Sequence, residues 1–277
     1  MGRFSQRVAG RPLYTSGLNE ASPNLRVAAW NLLHVKLFPH SSEKASYYRL
    51  YGKELWVHLN WTIDTLPYNS YDGQNTIKQH WMSVAWDDFF DIFEFAVDLL
   101  APRAAVARNR ADWFDEINEL LQDQGCAYRF IAEELAPITN ALEVEAVATA
   151  ADCTIGPVGQ HIREALALLP PSKDSSPRNS VKESISAVEG ALKHLTGEPA
   201  ATLGEGLKEF EKAFGPLHES IRRGLTHLYA YTNQPDGIRH ALIEDSREVT
   251  VDDARFMVIT CSAFANYLVA IAAKHRP

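Results

Sequence analysis

The sequence predicts a mainly α-helical protein: a helical N-terminal domain with a small β element, then a smaller C-terminal helical bundle. Three observations predict it. Apolar residues recur at three- and four-residue spacing through most of the 277 residues, the period of a helix with one buried face. Proline, glycine and short polar residues stand where such helices start and stop. A single stretch, 126–138, reads as extended. Composition divides the chain as well. All six tryptophans (Trp30, Trp56, Trp61, Trp81, Trp86, Trp113) precede residue 114. Of the formal charge of −8, residues 1–170 carry −7 (14 Lys+Arg, 21 Asp+Glu) and residues 171–277 carry −1 (13 and 14). Two regimes predict two domains, 1–170 and 171–277.

Ser22-Pro23 is a helix start, a capping hydroxyl followed by proline at the first turn. The helix it opens repeats Leu25, Ala28, Leu32 and Val35 and ends at Pro39. A second helix is expected from Ser42 to Trp61, with Leu50, Leu55 and Leu59 inward, then a loop over Pro67–Gly73. A long helix follows from Gln74 to Leu100, with Trp86, Phe90, Phe93, Val97 and Leu100 on one face and Pro102 as its stop. The next runs from Ala104 to Gln124, buries Trp113, Ile117 and Leu121, and ends at Gly125. Tyr128, Phe130 and Ile131 suggest a short two-stranded element, limited to an edge by Pro137. Helical spacing returns at Ala141–Asp152 and Val158–Leu169. Pro170–Pro177 is the clearest linker.

Beyond the linker, Val181, Ile185, Val188, Leu192 and Leu195 form one stripe, broken at Gly197–Leu203. Short helices follow, marked by Leu207, Phe210 and Phe214, then by Leu217, Ile221, Leu225 and Leu228. Thr250-Val251-Asp252-Asp253 is a capping pattern. It opens a last helix striped by Met257, Cys261, Phe264, Leu268 and Ile271 and broadened by Phe256, Ala263, Tyr267 and Ala270. So wide an apolar girth predicts the centre of the bundle.

Several function classes are disfavoured. The acidic balance argues against a broadly basic nucleic-acid surface. Three unclustered cysteines (Cys126, Cys153, Cys261) suggest free thiols and no thiolate zinc site. MGRFSQRVAG lacks the apolar core of a signal peptide, and no uninterrupted apolar run reaches spanning length. The expectation is a cytoplasmic protein with no membrane partner. Phosphate-binding glycine loops, GxSxG and HExxH are absent from the sequence. The carboxylate row Asp87, Asp88, Asp91, Glu94, Asp98 reads as a solvated helix face, and the tryptophans as core. No metal and no cofactor are expected.

The strings RNSVKESISAVEGALKHLTG, HLYAYTNQPDGIRHAL and DDARFMVITCSAFANYLVA resemble the C-terminal HEPN-like domain of bacterial abortive-infection proteins. The N-terminal half resembles the helical AbiJ-type N-terminal domain, through Arg3-Phe4-Ser5-Gln6-Arg7, Trp86-Asp87-Asp88-Phe89-Phe90-Asp91 and Tyr128-Arg129-Phe130. The resemblance implies phage defence and a dimeric, toxin-like, metal-independent ribonuclease. RNA supplies its own nucleophile, the 2′-hydroxyl. Such an enzyme needs one group to move the hydroxyl proton and a cation to hold the charge growing on phosphorus.

Arg239 and His240 are the first candidates for those roles. They are adjacent, whereas the family spaces Arg and His by four to six residues. On a helix, adjacent residues point roughly 100° apart. Arg222 and His227 are the second candidates, with the family's spacing. Arg178, Asn179, Lys182, Glu183 and Glu189, on the polar face of the first C-terminal helix, are expected to bind RNA or support the site. Two readings stay open. In one the protein cleaves RNA after a phage-derived or host trigger and acts as a homodimer. In the other it is a non-enzymatic module that dimerises or binds a nucleotide or partner, with Arg239 and His240 bonded to Glu183 or Glu189.

Overall fold

A computed structural model of the protein describes residues 16–38, 48–107, 110–170, 176–233 and 248–275, the side chains of 49, 103–107 and 232–233 excepted. Arg239 and His240 lie outside the described residues. The described chain is mainly α-helical with one two-stranded sheet. It forms two compact units, Met1–Arg129 and Phe130–Pro277.

The first unit holds α1 (Pro23–Leu37), a π turn (Tyr48–Gly52), α2 (Lys53–His58), a 3-10 turn (Ile63–Thr65), α3 (Ser70–Ser83), α4 (Trp86–Ala107) and α5 (Arg110–Asp123). Ser22 caps α1 as expected, its hydroxyl accepting from Leu25 N. The buried face of α1 is rotated by about one residue from the expected one. Leu25, Ala29, Trp30, Leu33 and Leu37 are inside, and Val35 is 59% exposed. The segment is apolar nearly all round, so spacing alone left two faces in competition, and the larger Trp30 took the core.

The single helix expected over Gln74–Leu100 is two. Arg26, 8% exposed, explains the break. Its guanidinium donates to the carbonyls of Trp81 (2.8 Å) and Val84 (2.9 Å), ending α3 before α4 begins. Trp81 returns a bond from its indole to Arg26 O (2.9 Å), and the Phe89 ring lies 4.7 Å from the guanidinium. Burial lowers the Arg26 pKa, a cost these carbonyl bonds offset.

The expected loop over Pro67–Gly73 is shorter, because α3 starts at Ser70 under an Asn69 cap. Gly73, expected at the end of that loop, is helical and makes room for a neighbour. A Cβ there would stand 1.8 Å from the Tyr48 hydroxyl, which donates to Pro67 O. Pro102 does not stop α4, which continues to Ala107; buried Leu100 and Ala101 hold the helix through the lost bond. Trp30, Trp56, Trp81 and Trp113 are buried as expected of core residues, whereas Trp61 and Trp86 are only half-buried.

The hairpin β1 (Arg129–Ile131) and β2 (Glu134–Ala136) carries the expected small β element. Its turn residues, Ala132 and Glu133, have φ of 50° and 76°. Positive φ at both central residues is the signature of a type I′ hairpin turn, normally supplied by Asn-Gly.

The second unit adds α6 (Ala141–Ala151), α7 (Val158–Ala167), α8 (Pro177–Thr196), α9 (Leu203–Phe214), α10 (Glu219–Asn233) and α11 (Val251–Lys274). Helix α8 is the hub: α11 and α7 pack along it, with α9 and α10 beside it. Its expected stripe of Val181, Ile185, Val188 and Leu192 is buried. Gly197, φ 76°, ends it. The capping pattern at Thr250 is present in full, with Thr250 and Asp253 bonding each other's backbone N–H.

Helix α11 buries Ala254, Met257, Val258, Cys261, Ser262, Ala265, Leu268 and Ala272. Phe256 is 57% exposed and Tyr267 38%. Among the described residues it is also the one helix long and apolar enough to cross a membrane by length and composition. Thr260, Ser262 and Asn266 interrupt its apolar stretch. A buried helix serving a core passes the same test, and α11 has that face.

Two predictions follow from these interiors. Replacing Arg26 with Ala removes the partner of the Ala21, Trp81, Val84 and Ala85 carbonyls and opens a void. Urea unfolding should show a loss of about 2–4 kcal/mol, partly restored in Arg26→Lys. Burial pushes the Cys126 thiol up to about 11 and the Cys261 thiol up to about 12, while Cys153 is half-buried. In the native protein a chromogenic disulfide reagent should label Cys153 first, and Cys153→Ser should remove the fast phase.

Candidate functional site

The polar face of α8 is two faces. Arg178, Lys182, Ser186, Glu189 and Lys193 follow one another at four, four, three and four residues and share a stripe. Lys182 is exposed; Arg178 and Glu189 are half-buried. Asn179 is exposed beside the stripe. Glu183 turns about 100° away from Lys182, toward α7.

There Glu183 meets His161 of α7. Its Nδ1 lies 2.7 Å from Glu183 Oε2. The same nitrogen lies 3.9 Å from Oε2 of Glu164, one turn on in α7. Glu164 Oε1 accepts from Gln160 (2.9 Å), which steadies the carboxylate with Oε2 facing His161. The side chains of His161 and Glu183 are 27% and 18% exposed, and Glu164 is 46% exposed. His161 Nε2 has no protein partner among the described residues.

This cluster exists because α7 and α8 approach closely. Ser180 donates to Ala165 O (2.7 Å), a side-chain bond between the helices at one end of the contact. At the other, Gly190 faces Pro157, where a Cβ would stand 2.7 Å from the proline ring. A His-x-x-Glu pair in α7 and a carboxylate in α8 was the signal in the sequence. Only the pairing of the helices gives it meaning.

The second candidate pair does not converge within the chain. Arg222 and His227 lie five residues apart on α10, about 140° around the helix. Arg222 Nε stands 3.9 Å from Glu211 Oε1, which also accepts from Leu217 N. His227 is exposed. Arg239 and His240 belong to the stretch between α10 and α11 that is not described. Glu183, one of the two carboxylates expected as their partner, is bonded to His161.

The model of the family described as AbiJ N-terminal domain 4 matches residues 2–152, more than half of the chain. The chain belongs to this family. Membership in the AbiJ family suggests abortive infection, a form of antiphage defence. The AbiJ match takes in α1 to α6 and ends at Asp152, the residue that caps α6. No curated protein and no solved structure matches the chain.

The α7–α8 contact makes its own prediction. Gly190→Val should destabilise the protein by about 1–3 kcal/mol by overpacking against Pro157. Gly224 of α10 has open space where a Cβ would go. Gly224→Ala should instead stabilise by about 0.5–1 kcal/mol, as replacing a helical glycine does. Thermal melts of the two variants check both signs.

Proposed function

We propose that this AbiJ-family protein acts in antiphage defence through its C-terminal helices, as a metal-independent, HEPN-type endoribonuclease. The observation that carries the reading is the family match over residues 2–152, continued by a C-terminal bundle whose strings resemble HEPN domains. Arg239 would hold the charge growing on the phosphate, and His240 would move protons to and from the 2′-hydroxyl and the leaving oxygen. The α8 stripe with Arg178, Lys182 and Lys193 supports phosphate binding alongside, since its cations begin at the positive end of the helix dipole. In this reading the protein is a cytoplasmic homodimer, and a phage-derived or host signal releases its activity.

A second reading has an observation in its favour. Glu183 bonds His161 and Arg222 stands by Glu211, so both serve internal contacts. On that reading the C-terminal helices dimerise or bind a nucleotide or partner, with no cleavage.

The test uses phage-challenged cells expressing wild type, Arg239→Ala or His240→Ala, followed by purified protein with total RNA in EDTA. The nuclease reading expects new RNA ends with 2′,3′-cyclic phosphate. His240→Ala should cut their formation by about 10²–10⁴. Full protection by both variants, with intact RNA in infected cells, would sink the nuclease reading and support the binding module.

A further inference from the structure

We infer that His161, Glu164 and Glu183 form a site for one transition-metal dication of the zinc class. The three ligand atoms, one imidazole nitrogen and two carboxylate oxygens, all lie within 4.8 Å of one another. Two belong to α7 and one to α8, and the close approach of those helices fixes the third against the first two. Imidazole with carboxylates is a donor set that suits zinc and its neighbours; magnesium takes oxygen donors and keeps its waters.

The two separations from His161 need only small movements, and the Glu164 and Glu183 oxygens, within 4.8 Å of each other, draw together as Glu164 swings in. Zinc binds nitrogen and oxygen at about 2.0–2.2 Å, which sets tetrahedral ligands a little over 3 Å apart. The His161–Glu183 separation of 2.7 Å must open by roughly half an ångström, and the His161–Glu164 separation of 3.9 Å must close by about as much. Glu164 is half exposed and supplies the travel. The metal takes the Nδ1 lone pair, so any proton there moves to Nε2 or to solvent. Water completes the coordination on the open side. This site does not depend on RNA cleavage. The two share Glu183, but EDTA separates them: it strips this metal and leaves a metal-independent cleavage running.

The full-length protein would be stripped with chelator, then titrated with Zn²⁺ by calorimetry, with Mg²⁺ alone as the control. Co²⁺ would be titrated separately and followed by visible absorption. The expected result is one high-affinity Zn²⁺ per chain, weakened at least tenfold in His161→Gln, Glu183→Gln and Glu164→Gln. Glu164→Gln leaves the His161–Glu183 bond in place, so its loss of affinity cannot be laid to unfolding. Mg²⁺ should give no comparable heat. No zinc uptake, or uptake equal in wild type and all three variants, would overturn the assignment and leave His161–Glu183 a hydrogen-bonded pair.

Discussion

Everything of chemical interest in the described part of the second unit hangs on how closely α7 can approach α8. Two helices come that near only where one presents almost no side chain, and Gly190 against Pro157 is such a place. Ser180 then spends its hydroxyl on Ala165 O, a side-chain hydrogen bond across the contact. With both ends of the contact set, His161 has no choice of neighbour: Glu183 lies between them, about two turns from Gly190 and just under one turn from Ser180. The imidazole–carboxylate pair is a consequence of small residues placed elsewhere.

The first unit solves a different problem with a different residue. An aromatic core built from Trp30, Trp81, Phe89 and Phe93 leaves little room for water at the end of α3, where carbonyls lose their helical partners. Arg26 reaches in from α1 and serves two of them. A charged side chain thereby does the work a glycine cap or solvent does elsewhere, and it ties the chain across 55 residues.

Much of the fold could be read in advance because it rests on local rules. Ser22-Pro23 and Thr250…Asp253 mark helix starts through bonds within four residues, and the α8 stripe is simple periodicity. Some failures come from distance along the chain and others from local chemistry that the residue types do not announce. The break between α3 and α4 is made by Arg26, far upstream. Gly73 is explained by Tyr48, and Pro102 is tolerated because Leu100 and Ala101 are buried. Ala132-Glu133 gave no turn signal, since neither is a residue that favours positive φ. The site followed the same pattern. Glu183 was singled out from its helix, but its partner His161 became visible only once two helices were paired.

The AbiJ match closes at Asp152, yet α6, its last helix, packs against α11 and α7 and accepts a bond at Ala146 O from Asn266. What recurs among relatives as a sequence is therefore not what folds as a body. A chimera cut after Asp152 would carry away one wall of the bundle that follows, baring the flank of α11. Any exchange of C-terminal partners among these proteins has to solve that flank anew, by an equivalent of α6 or a surface that does without it.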